Sequence, residues 1–149
     1  MRIIKLTQDY LFKDFDCGNI DLNDYLLKDS KSYLSKRLAV TYIIETKQDI
    51  VAYFSLANDK LTIREVDKSS WRKIKQLFSH KKHRSDYPAV KIGRLAVNKK
   101  YQGHDLGSDI LNFIKLVEKA YSRRKCHIEW RGNYTGACIK TIDNNVITA

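Results

Sequence analysis

The residues best suited to chemistry stand together in Gln102-Gly103-His104-Asp105-Leu106-Gly107-Ser108. An apolar run through Val90, Ile92, Leu95, Ala96 and Val97 precedes them, followed by the basic Asn98-Lys99-Lys100-Tyr101. After them Ile110, Ile114, Val117 and Tyr121 recur at the three- and four-residue steps of a helix with one buried face. The pattern is strand, glycine turn, helix. The first amides of a helix have no intrahelical partner and lie at the positive end of its dipole, so a phosphate fits there. Gly103 and Gly107 let the backbone approach such an anion, and Lys99 and Lys100 would add positive charge. An ordinary strand-to-helix connection has the same outline. A Walker loop needs a Gly-Lys-Ser/Thr ending, and a dinucleotide site needs three spaced glycines with an acidic residue on a following strand; neither is present.

The elements that must position this turn can be read along the chain. Ile3, Ile4 and Leu6 suggest a first strand. Cys17 to Asn19 reads as a turn, with Asp21 as N-cap of a helix burying Leu22, Tyr25, Leu26, Tyr33 and Leu34. Val40 to Glu45 and Ile50 to Leu56 form a hairpin around Thr46-Lys47-Gln48-Asp49. Within the second strand Tyr53 and Ser55 share one face, with packing as their first role. Val66 to Phe78 contains a short helix, and Ser79 to Ser85 is a basic loop suited to phosphate contacts, with Trp71 or Tyr87 placed to stack on a base. A solvated charged loop is the plainer account of it. Cys126 to Trp130 supplies a later strand.

Two stretches resemble a known family. Gly93-Arg94-Leu95-Ala96-Val97, Tyr101-Gln102-Gly103 and Leu106-Gly107 resemble motif A of the GNAT N-acetyltransferases, Gln/Arg-x-x-Gly-x-Gly/Ala after a Leu-Ala-Val strand. Phe15-Asp16-Cys17-Gly18 through Leu22-Asn23-Asp24-Tyr25-Leu26 resembles the opening of one branch, which includes toxins that acetylate the amino group of aminoacyl-tRNA. The resemblance implies an α/β (α+β) fold: a mixed, mostly antiparallel central sheet flanked by helices, forming a single domain over residues 1–149. It also implies acetyl-CoA as cosubstrate, held by Leu95, Ala96, Val97, Gln102, Gly103, His104, Asp105, Leu106, Gly107 and Ser108, with Val97 N–H polarising the thioester. Asp105 departs from the pattern, standing where a glycine is expected and bringing negative charge toward a pyrophosphate. The family tyrosine that protonates the leaving thiolate falls on Thr141, so Tyr134 becomes the candidate acid, and the general base is water, His104 or Glu129. After Ala137 the tail has either diverged or been cut short, so the last strands of the sheet are expected to be altered or lacking.

Composition bounds the rest. Apolar residues make up 43% and charged residues 30% of 149, with a single proline, which favours one folded domain over disorder. The N-terminus has no uninterrupted apolar run and no stretch approaches the ~18 residues of a membrane span, so a cytoplasmic chain without a membrane partner is expected. Three cysteines without metal-ligand spacing fit reduced thiols and no metal site. The net charge of +11 favours a polyanion such as tRNA. With the toxin-like opening, it points to an N-acetyltransferase acting on aminoacyl-tRNA and controlled by an antitoxin protein. The alternatives are a catalytically weak domain that binds RNA or protein through its basic surface, and an acetyltransferase for small amines or proteins. A homodimer through an exposed sheet edge is a further expectation.

Overall fold

The computed structural model describes residues 1–76, 86–121, 129–131, 138–141 and 147–148. The strands are β1 (Arg2–Lys5), β2 (Val40–Glu45), β3 (Ile50–Thr62), β4 (Asp86–Val97), β5 (Glu129–Arg131), β6 (Cys138–Thr141) and β7 (Ile147–Thr148). The helices are α1 (Ile20–Asp24), α2 (Ser30–Ser35), α3 (Lys68–Gln76) and α4 (Leu106–Tyr121). One sheet runs in the order β1-β2-β3-β4-β6-β5-β7, antiparallel throughout except between β5 and β7. The sheet therefore continues past β4 in three short strands.

Alternation along β2 and β3 decides what lies on each face. Ile43 and Tyr53 turn to one side, where they pack with Leu6, Phe15, Leu22, Tyr25, Leu26 and Ala96 under α1. Ile44, Ala52 and Phe54 turn to the other and pack with Ile92, Ile110 and Ile114 under α4. Helices thus cover both faces, and every strand residue in these sets gains from burial on one of them.

The helix predicted after Asp21 begins two residues earlier. Asn19 is the cap: its side chain accepts from Leu22 N at 3.1 Å, while Asp21 lies in the first turn. Between α1 and α2 the chain widens into a π turn over Tyr25–Asp29, where Ser30 N–H donates to Tyr25 O. Ser30 is fully buried and its Oγ donates to Leu26 O, which competes for the ordinary helical acceptor and keeps the turn wide. Tyr53 passes under this helix and its hydroxyl donates to Leu22 O at 2.7 Å. Burial pushes the Tyr53 phenol far above its ordinary value, so it stays a neutral donor.

Two expectations for the middle of the chain change. β3 runs on to Thr62 and pairs with β4 down to Asp86, so the strand expected to end at Leu56 continues through Asn58 to Thr62. Trp71 is buried at 4% exposure within α3 and is therefore not available to stack on a base. The basic stretch Ser79 to Ser85 lies outside the described residues, as does Tyr134.

Candidate functional site

The end of β4, the turn after it and the turn before α1 enclose a cleft of about 590 Å³. Leu95, Ala96 and Val97 form its floor, and Gln102, Gly103, Asp105, Leu106, Gly107 and Ser108 form one wall. His104 is the exception among the expected residues. It is exposed, with Nδ1 3.1 Å from Gln102 O, and does not line the cleft. Cys17, Gly18, Asn19, Leu22 and Tyr101 complete the lining, and the sequence reading had assigned them no such role.

The direction of the Val97 backbone follows from the register. Asn98 N–H donates to Val51 O at 2.8 Å, and Val97 stands opposite Ala52. Antiparallel pairs alternate between exchanging and not exchanging hydrogen bonds, so Val97 turns its N–H and C=O away from β3. Its carbonyl accordingly accepts from Gln102 Nε2 at 2.8 Å. On that side β4 pairs with β6 only from Val90 to Ile92, so from Gly93 to Val97 the edge has no strand partner among the described residues. The backbone there is open to a ligand.

The turn supplies the second feature. Gly103 has φ 85°, where a Cβ would be strained, and Asp105 has φ 52°, a left-handed conformation that aspartate tolerates better than most residues. The left-handed residue thus stands where the motif has its middle glycine. Asp105 O accepts from Asp109 N at 3.1 Å, which makes Asp105 the residue that opens α4. Among the described residues, no amide from Gly103 to Ser108 has a hydrogen-bond partner. These donors cluster at the positive end of a four-turn helix beside a cleft.

Lys99 and Lys100 do not add their charge to this wall. Lys99 Nζ pairs with Asp16 at 2.8 Å and Lys100 Nζ with Asp49 at 3.0 Å. Neither lines the cleft. Hydrogen bonds from Lys99, Asn23 and the Gly18 amide hold the Asp16 carboxyl at about 2. Gln102 Nε2 also donates to Cys17 O at 3.0 Å and so links the two walls. Outside the cleft lining, Glu45 is buried and receives Arg2, Tyr10 and Lys13 at 2.6, 2.6 and 2.9 Å. Burial alone would raise its carboxyl, but these donors hold it at about 2.

No helix among the described residues is long and apolar enough to cross a membrane. No family model matches the chain. Its fold is similar to that of KacT, in a tyrosine-to-phenylalanine variant, with a TM-score of 0.66 at 16% identity over 95% of this chain and 94% of that one. It is similar to AtaTR bound with AcCoA, with a TM-score of 0.65 at 18% identity over 95% and 92%. It is similar also to AtaT complexed with acetyl-methionyl-tRNAfMet, with a TM-score of 0.63 at 22% identity over 80% and 69%. These are toxin acetyltransferases of the GNAT fold, and the fold of this chain is the same.

Proposed function

We propose that the chain is an N-acetyltransferase that moves the acetyl group of acetyl-CoA to an amine, and that this amine is the amino group of an aminoacyl-tRNA. The observation that carries the reading is the row of amides from Gly103 to Ser108, partnerless among the described residues, next to the backbone edge at Val97 that no described strand covers. The amides suit the pyrophosphate, and the edge suits the amide-bearing arm that joins pyrophosphate to thioester. Acetyl-CoA supplies the activated acyl group. Val97 N–H donates to the thioester oxygen as negative charge builds there. The β3–β4 register fixes that amide beforehand, so it needs no reorganisation during the reaction. The acceptor nitrogen attacks directly, and Tyr134 is the candidate proton donor to the departing thiolate.

The acceptor and partner classes rest on two supports. The net charge of +11 suits a polyanion. AtaT, which shares the fold, is found complexed with acetyl-methionyl-tRNAfMet and bound to the C-terminus of the antitoxin AtaR. By that likeness the chain is a toxin held by an antitoxin. One observation favours a second reading. The Asp105 carboxylate stands at the helix end that the pyrophosphate would occupy, as it would in a domain that binds RNA through its basic surface with little catalysis.

Calorimetry with acetyl-CoA in phosphate-free buffer, followed by acetyl transfer to charged tRNA, tests the reading. Micromolar binding and acetylated aminoacyl-tRNA are expected, with tRNA binding that weakens steeply as salt rises. Absence of acetyl-CoA binding by both the native chain and Asp105→Gly would leave the second reading standing.

A further inference from the structure

We infer that a second cleft, of about 490 Å³, receives the acceptor, and that Arg94 and Ser55 select acceptors carrying a carbonyl beside the amine. The inference rests on the acetyltransferase reading and adds the specificity of the same site. The two clefts share Asn19 and Leu22, and β4 runs from one to the other: Gly93 and Arg94 line the second, Leu95 to Val97 the first. An amine seated in the second cleft is therefore adjacent to the backbone edge assigned to the thioester.

Three observations define its chemistry. The Arg94 guanidinium lies 3.9 Å from the Tyr25 ring centroid and 5.5 Å from that of Tyr33, stacked on aromatic faces. Among the described residues it has no hydrogen bond or ion pair, and Asp21, the carboxylate lining the same cleft, is not within salt-bridge reach of it. Its planar set of donors is therefore oriented and unspent. Ser55 lines the cleft at 1% exposure, and its Oγ has no partner among the described residues. A buried hydroxyl left so is costly, and a ligand acceptor atom would satisfy it. A Cβ on Gly93 would lie 3.2 Å from that Oγ, so any larger residue there would crowd the hydroxyl.

Both groups can donate, and a carbonyl oxygen accepts. An α-amino ester places such an oxygen next to the reacting amine, whereas a simple alkylamine leaves Ser55 unsatisfied and Arg94 unused. A site built on polar donors rejects the ligand that lacks the acceptor more strongly than one built on apolar fit.

The test compares acetyl transfer by the full chain to methionine methyl ester and to 3-(methylthio)propylamine, as a ratio of kcat/KM. The ester should be favoured by about tenfold or more. Arg94→Gln should remove about tenfold of that ratio and Ser55→Ala about threefold, with acetyl-CoA affinity unchanged in both. Ser55→Ala should melt no lower than the native chain, because it deletes an unsatisfied group. Arg94→Lys keeps a cation over the rings without the fork, so it should restore melting and not the ratio. A native ratio near one, or a ratio unmoved by both variants while acetyl-CoA still binds, overturns the inference and leaves the acetyltransferase reading intact. If acetyl-CoA does not bind, that reading fails instead. Direct calorimetry of the two amines then decides the cleft alone: an ester preference lost in both variants supports it, and no preference overturns it.

Discussion

Two turns face each other across the cleft and are built in opposite ways. The turn around Gly18 spends its donors on its own side chains: Cys17 N–H donates to Asn23 Oδ1, Gly18 N–H to Asp16 Oδ1 and Leu22 N–H to Asn19 Oδ1. Asp16 also receives Asn23 Nδ2 and Lys99 Nζ, so the donors of Cys17 and Gly18 are spent without a ligand. The turn from Gly103 to Ser108 leaves its amides unspent among the described residues, although it begins from a similar glycine at positive φ. On the proposed function the first turn is scaffold and the second is receptor. Acidic and amide side chains beside the first occupy its donors, whereas Gln102 and Asp105 accept none of the second turn's amides with their side chains and leave donors for an anion.

The comparison can be broken at several points. The largest effect is expected from Gly103→Val, which puts a β-branched side chain at φ 85° and costs about 1–2 kcal/mol unless the turn moves. Acetyl-CoA affinity by calorimetry should fall about tenfold or more, since a moved turn misaligns its amides. Asp105→Gly should act in the other direction. It keeps the left-handed backbone, removes a carboxylate from the anion site and should tighten acetyl-CoA by about three- to tenfold, with melting nearly unchanged as the helix loses its N-terminal charge.

Gln102→Ala cuts the tie between the turns, removing hydrogen bonds to Cys17 O and Val97 O. About 1 kcal/mol of stability and a few-fold of affinity should go with it, read by melting and by calorimetry. The smallest effect on binding is expected from Asp16→Ala, which frees the Gly18 amide and the Asn23 and Lys99 side chains without touching the amides from Gly103 to Ser108. Melting should fall while acetyl-CoA affinity changes little; the reverse would mean that the first turn is itself receptor. The Asp16 carboxyl titrates at about 2 in the folded chain against an ordinary 3.8, so its ties contribute fully above the higher value. They are lost as pH falls through about 2. Melting followed across that window should drop in the native chain and drop less in Asp16→Ala.

How legible all this was in the sequence varies with how local each feature is. The strand ending at Val97, the turn and α4 are written in apolar spacing and two glycines within one stretch, and they stand where the spacing put them. The β2–β3 hairpin is equally local. β3 beyond Leu56 was hidden because Asn58-Asp59-Lys60 is strand only by pairing with β4 more than twenty residues later. The π turn depends on one hydroxyl, Ser30 Oγ, finding a carbonyl in a buried place. Lys99 and Lys100 looked available because their acidic partners, Asp16 and Asp49, are remote in the chain. The role of Cys17 to Asn19 as the opposite wall has the same cause: nothing near those residues in sequence points to Gln102. The left-handed backbone at Asp105 could have been foreseen, because the motif places a glycine there and aspartate is among the few residues that can replace one in that conformation.

The central claim is that the amides from Gly103 to Ser108, with the edge at Val97, hold acetyl-CoA. An amide-resolved NMR titration of the labelled full chain with acetyl-CoA in phosphate-free buffer tests it most directly. The account predicts saturable shifts concentrated at Gly103 to Ser108 and Val97, with Cys17 and Gly18, whose amides are already bonded, shifting far less. Saturable shifts elsewhere with these amides unmoved, or no shifts at millimolar acetyl-CoA, would contradict it.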